Sequence, residues 1–391
     1  MSGRLFVTGG QVVRPDGACR ATLVVEDGRI LDADYRGEVP AGAQVLDARD
    51  RYVLPGLVEI HAHGGGGCDF MDATREAFET VVCTHMRHGA TTILPTTVAC
   101  EAEEMRELFE LYRRMRQGRL GNALGGVHLE GPFISQAMRG AQNPAHIRAP
   151  QTAEVDALMD EAGDLIRLIT AAPELEGMQY LAKRAGERGI ALSSGHSDAT
   201  FEQIARGYEW GFRHITHMYS NTPTVRKINQ RVRAGILEFA WLTDDVRVEL
   251  IGDGRHVPCE VLRLALKIKG ADKINLTSDA MRAAGTDAKE SYLGAIRPEN
   301  RVIVEDGVAK LPDRSFYAGS IATADRMLAW AVNECGVPLH EAVRMLSLSP
   351  AKVVGLDGQK GSLDNGKDAD FLLADEQLRV EQVFLRGERM F

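Results

Sequence analysis

The stretch LPGLVEIHAHGGGGCD, Leu54 to Asp69, decides how the chain is read. Its apolar body predicts a buried strand over 57–63. That strand ends in two imidazoles, His61 and His63, followed at once by Gly64 to Gly67. Residues i and i+2 of a strand share a face, so both imidazoles point the same way at the strand's C-terminal end. Two imidazoles at that spacing can ligate one metal ion. Glycines there permit a sharp turn and leave room above the site. An isolated H-x-H also fits ordinary surface chemistry, so the reading depends on what stands at the other strand ends.

Further apolar stretches occur at 91–96, 124–131, 165–174, 190–196, 212–218, 246–254 and 273–280. Together with 57–63 they make about eight strands, separated by helical stretches such as 73–89, 101–117, 174–188 and 198–210. Such alternation implies βαβ units and a parallel sheet, and this many units predict an α/β fold of the (β/α)8 TIM-barrel type over 56–358. The flanks, 1–55 and 359–391, are β-rich. RLFVTGGQVV and ATLVVEDGRI precede the barrel, with Asp27-Gly28 as a hairpin signal, and DADFLLAD and VEQVFLRGERMF follow it. These ends are expected to pair as one small β-sandwich domain.

Composition narrows the function. The 391 residues are 44% hydrophobic, enough for a large core, and carry a net charge of −9. That charge disfavours a nucleic-acid partner. The apolar runs are too short for a membrane span, and MSGRLFVTGG lacks the pattern of a secretory signal. The six cysteines are scattered with no C-x-x-C, so neither a zinc knuckle nor a disulfide framework is expected. A reducing cytoplasm fits these features.

The other strand ends carry ligand-type groups. HLEGPF places Glu130 at the third, with His128 one step deeper. His196 ends the fifth, His214 and His217 lie on the sixth, and Asp279 ends the eighth. Singly, Glu130 could cap a helix, His196 could be a satisfied core histidine and Asp279 could make an Asx turn. Jointly, at the end of a barrel where active sites form, they point to a divalent metal centre.

The chain resembles the amidohydrolase superfamily and, within it, the N-acetylglucosamine-6-phosphate deacetylase family. The resemblance rests on LPGLVEIHAHGGGGCDF, HGATTILPT, HLEGPF, AAPE, GHSDAT, THMYS, DGRHV, TSDAMRAAG, AGS and SPAKVVGLDGQKGSLDNGKDADF, in order along nearly the whole chain. It implies that Glu130, His196 and His217 hold a main metal ion and that His61 and His63 with Glu130 form a second site. One or two divalent ions are therefore expected, zinc or iron by preference, with Asp279 as catalytic acid/base. LIRLITAAPE offers no lysine to bridge two metals, a role left to Glu130. The implied reaction cleaves the amide of an amino sugar phosphate, releasing acetate. Implied substrate contacts are Ala141, Gln142, Ser220, Asn221, His256 and the backbone near Tyr317 and Ala318. Arg226, in TPTVRKINQRVRAG, would reach the substrate of a neighbouring subunit in a homodimer. Two departures bear on the sugar: Gln142 replaces the family's usual histidine, and Ser220-Asn221 replaces Asn-Ala.

Cys68 is a weaker metal candidate, because imidazoles and carboxylates already fill the ligand set. His85, His88, His146 and His340 are expected to have no catalytic role, and Lys360, Lys367 and Asp370 to be structural. Two competing readings are a metal-dependent hydrolase of another N-acyl or cyclic amide and a non-catalytic scaffold. The intact ligand set argues against the scaffold.

Overall fold

The computed structural model describes residues 3–391. Strands form at all eight predicted positions: β1 (Leu57–Ala62), β2 (Ala90–Pro95), β3 (Val127–Glu130), β4 (Ile166–Ala171), β5 (Ala191–Ser194), β6 (Phe212–Ile215), β7 (Arg247–Ile251) and β8 (Ile274–Thr277). β3 to β8 make one six-stranded sheet in sequence order, with every neighbour parallel. β1 and β2 form a parallel pair. Isolated parallel bridges, Ile93 to Leu124 and Thr96 to His128, connect this pair to the segment entering β3 and to β3 itself. A further bridge, Ala62 to Ala280, connects it to the end of β8. Every residue of β1 and β2 is buried, as expected of strands covered on both faces.

Helices α1 (Arg75–Arg87), α2 (Ala102–Arg116), α3 (Thr152–Ala162), α4 (Met178–Glu187), α5 (Phe201–Trp210), α6 (Ile236–Leu242) and α7 (Cys259–Lys269) fill the connections, and α8 (Ala324–Ala329) follows β8. Their boundaries are chemical. In α5 the Thr200 hydroxyl accepts from the Gln203 amide, while the Gln203 side chain accepts from the Thr200 N–H. Gly211, at φ 113°, ends the helix.

The glycines after His63 serve close packing more than open space. Gly64-Gly65 pairs antiparallel with Cys68-Asp69. A Cβ on Gly64 would sit 2.4 Å from the Cys68 carbonyl oxygen and 2.8 Å from the Arg282 nitrogen.

The termini supply two sheets. One contains Leu5–Thr8, Thr22–Glu26, Arg29–Tyr35 and Gln44–Asp47. The other runs from Glu388–Arg389 through Val380–Leu385, Phe371–Ala374, Tyr52–Pro55 and Gln11–Arg14 to Gly17–Arg20. Leu23 and Val25 of the first share a buried cluster with Val12, Phe371 and Phe384 of the second. Lys360 is held between Asp370 and Asp368 at 2.6 and 2.9 Å, the structural role expected of that signature.

Two insertions were not legible beforehand. A hairpin, Arg226–Ile228 with Arg231–Arg233, follows β6. After β8, a four-stranded antiparallel sheet uses Glu290–Tyr292, Arg301–Glu305, Val308–Lys310 and Tyr317–Ser320. The Ser320 N–H donates to the Asp279 carbonyl at 2.8 Å, fixing the last strand beside the end of β8. The cysteine expectation needs a correction: Cys259 and Cys335 pair as a disulfide between the start of α7 and the turn after α8. They are 76 residues apart, so helix packing rather than spacing brings them together. No helix among the described residues is long and apolar enough to cross a membrane.

Candidate metal and active site

Six ligand-type side chains from the ends of β1, β3, β5, β6 and β8 converge, none more than 8% exposed. His61, His63 and Asp279 form one group and Glu130, His196 and His217 another, with ligand atoms within 4.8 Å of one another in each. Glu130 lies between them. Its Oε1 is 3.0 Å from His217 Nε2 and 3.3 Å from both His196 Nε2 and His61 Nε2. Its Oε2 is 3.4 Å from His63 Nε2. Asp279 Oδ1 stands 3.2 Å from His63 Nε2 and 3.5 Å from His61 Nε2.

The imidazoles are oriented from behind. His61 Nδ1 donates to Glu249 at 2.8 Å, His196 Nδ1 to the Met138 carbonyl at 2.8 Å and His217 Nδ1 to the Ser220 carbonyl at 3.1 Å. With each Nδ1 carrying the proton, each Nε2 lone pair faces the carboxylates, as metal ligation requires. His61 Nε2 is buried and makes no hydrogen bond. That donor set suits a divalent transition metal, and an orphaned imidazole nitrogen aimed at two carboxylates fits one. His196, His217 and Asp279 also hold positive φ angles of 47°, 27° and 46°. Such backbone is unfavourable for residues with a Cβ and persists where surrounding contacts enforce it.

Charge agrees with geometry. Burial alone would raise the Glu130 pKa, but His61 and His196 hold it well below the usual carboxylate range. Asp279 is likewise lowered against its burial, by His61 and His63. Burial would lower His63, yet Asp279 and Glu130 reverse this and take it to about 9. A site that attracts protons this strongly attracts a dication for the same reason.

Above the cluster opens a cavity of about 420 Å3, lined by His63, Glu130, His196, His217 and Asp279. Of the expected substrate contacts, Ala141, Gln142, Ser220, Asn221, His256 and Tyr317 line it. His256 Nδ1 is held by Asp253 at 2.7 Å and its ring meets Tyr317 edge-on, centroids 4.8 Å apart. The expected contact near Tyr317 and Ala318 is one of backbone; the Ala318 side chain itself is buried in a satellite core. Arg226 does not line its own chain's cavity but pairs with Asp198 at 2.5 Å. Cys68 belongs to neither ligand group.

The sequence reading missed several residues. Glu249 and Glu59 are carboxylates within apolar strands, a burial signal that was available. Glu59 accepts from the His61 N–H at 3.0 Å, Thr277 Oγ1 at 2.6 Å and the Ser278 N–H at 3.1 Å, tying β1 to β8. Tyr219, within the THMYS fragment, also lines the cavity, as do Leu293, Arg314 and Phe316, which nothing in their local sequence marks.

The amidohydrolase family profile matches residues 52–390. The chain belongs to the amidohydrolase family. This amidohydrolase is 33% identical over 355 residues to N-acetylglucosamine-6-phosphate deacetylase of Lysinibacillus sphaericus, covering 88% of this chain and 87% of that protein. It is 30% identical to N-acetylgalactosamine-6-phosphate deacetylase of Escherichia coli O157:H7, covering 92% and 93%. Among solved structures, it is similar to an aspartate-to-alanine mutant of the Mycobacterium smegmatis N-acetyl-D-glucosamine-6-phosphate deacetylase in complex with N-acetyl-D-glucosamine-6-phosphate. That match has a TM-score of 0.88, 30% identity and 99% coverage of both chains.

Proposed function

We propose that this amidohydrolase is a metal-dependent deacetylase of an N-acetylhexosamine 6-phosphate, N-acetylglucosamine 6-phosphate in the first instance, yielding acetate and the amino sugar phosphate. The observation that carries this reading is the convergence of six buried ligand-type groups at the floor of one cavity. The names of the relatives supply the substrate class.

In this reading Glu130, His196 and His217 hold the main divalent ion, zinc or iron by preference, and His61 and His63 with Glu130 hold a second. Bound there, such an ion lowers the pKa of water and polarises the amide carbonyl. Asp279 acts as the acid/base. Its depressed pKa keeps it a carboxylate, able to accept the proton of the attacking water. As the C–N bond breaks, Asp279 passes that proton to the departing nitrogen, which otherwise leaves as a poor anion. The acyl carbon keeps the water oxygen and departs as acetate. Ala141, Ser220, Asn221, His256 and Tyr317 enclose the sugar. Arg226 serves the phosphate of a neighbouring subunit's substrate within a homodimer.

The architecture proposed to carry this chemistry is a closed (β/α)8 barrel over 56–358 beside a β-sandwich built from 1–55 and 359–391. The test is acetate release by metal-replete enzyme from the gluco and galacto epimers, with and without 6-phosphate. Activity confined to another class of amide would reject the substrate assignment. No activity on any amide with every divalent ion would reject the enzyme reading.

A further inference from the structure

Gln142 is 4% exposed and bonded at both ends of its amide. Its Oε1 accepts from the Ala99 N–H at 2.8 Å, and its Nε2 donates to Glu130 Oε2 at 2.7 Å. A backbone N–H only donates and a carboxylate only accepts, so the flipped amide would lose both bonds. Ala99 therefore dictates which end of Gln142 faces Glu130. The imidazoles approach both carboxylate oxygens: His196, His217 and His61 lie nearest Oε1, and His63 nearest Oε2. The amide bond on Oε2 divides the carboxylate. One oxygen is tethered to the protein and the other is left towards His196, His217 and His61, with His217 the nearest at 3.0 Å. A carboxylate held this way loses less freedom on ligation and cannot rotate to offer both oxygens to one ion.

We propose that Gln142 is a positioning residue for Glu130, orienting its carboxylate so that a divalent cation is held tightly by Glu130, His196 and His217. This rests on the metal reading of the proposed function. It changes the expectation for Gln142, whose amide serves a metal-binding side chain in addition to facing the cavity.

The test compares wild type with Gln142→Met, which keeps the chain length and removes the donor. Metal-stripped protein is titrated with Zn2+ against a chromogenic chelator, and the absorption spectrum of the Co2+-loaded form is recorded. The expected result is about ten- to hundredfold weaker binding at one site, with a shifted Co2+ spectrum. The same loss should appear in a His63→Ala background, because Glu130, His196 and His217 are intact there. If the loss vanishes in that background, Gln142 acts on the His61–His63 side and the proposal is overturned. A lower Tm of metal-free Gln142→Met with unchanged affinity and spectrum also overturns it, assigning Gln142 to the fold through its Ala99 bond. Failure of wild type to bind either ion would instead reject the metal reading, and the proposal with it.

Discussion

Asp279 and His63 stand 3.2 Å apart, and each shifts the other's protonation. If Asp279 moves the proton, Asp279→Asn should lower kcat by about 10^2- to 10^4-fold. Elemental analysis should still find an ion at Glu130, His196 and His217; near-normal kcat would remove Asp279 from the mechanism. His85 makes a different kind of prediction. It lies on α1, where Nε2 donates to the Gly64 carbonyl at 2.9 Å and Nδ1 is buried without a partner. Burial pushes its pKa down to about 4. A histidine neutral in the fold and titrating near 6.5 when unfolded contributes stability above pH 6.5, lost as pH falls towards 4. The ceiling is on the order of 3 kcal/mol. His85→Gln keeps a donor without the titration, so its Tm should fall less steeply than that of wild type between pH 6.5 and 4.5. Parallel curves would assign the acid sensitivity elsewhere. The six converging residues were readable because each stands at a strand end, with a partner two residues away or in a recognisable fragment. The partners of Gln142 were not, since Ala99 reaches it from the loop after β2 and Glu130 from the end of β3.

At the level of elements, β7 acts on the site through Glu249, which receives His61 Nδ1, the His217 N–H at 3.2 Å and Asn275 Nδ2 at 3.2 Å. Glu249→Ala should free the His61 ring and weaken metal binding about ten- to hundredfold, measured by chelator competition. An unchanged affinity would show that packing alone orients His61. All eight strands were legible because their runs are apolar and almost wholly buried, and α1, α2, α4 and α5 between them were legible as well. The antiparallel sheet after β8 was not. Its strands are three to five residues long, and Glu290–Tyr292 and Arg301–Glu305 are largely exposed or half-exposed, so they lack a clean period. That sheet nevertheless brings Tyr317 and Phe316 to the cavity.

For the molecule as a whole, Arg226 bears on the proposed phosphorylated substrate. Arg226 is tied to Asp198 and lies off its own cavity, so a role at the substrate requires a second chain. Arg226→Ala should raise KM for a 6-phosphorylated sugar about ten- to hundredfold, the worth of a charge-assisted hydrogen bond, and leave the unphosphorylated sugar unchanged. Equal changes for both would assign Arg226 to the hairpin's own structure. The sequence by itself determined the order of the eight central strands and the identity of the six converging side chains. Both follow from short-range chemistry: the two-residue period of a strand and the cost of burying His, Asp or Glu without a partner. The tertiary structure alone decided that Gln142 grips Glu130, that Glu249 aims His61, that Cys259 meets Cys335 and that Arg226 pairs with Asp198. Those pairings join positions from 12 to 188 residues apart. They depend on how loops converge once the strands have assembled, a geometry that no local period encodes.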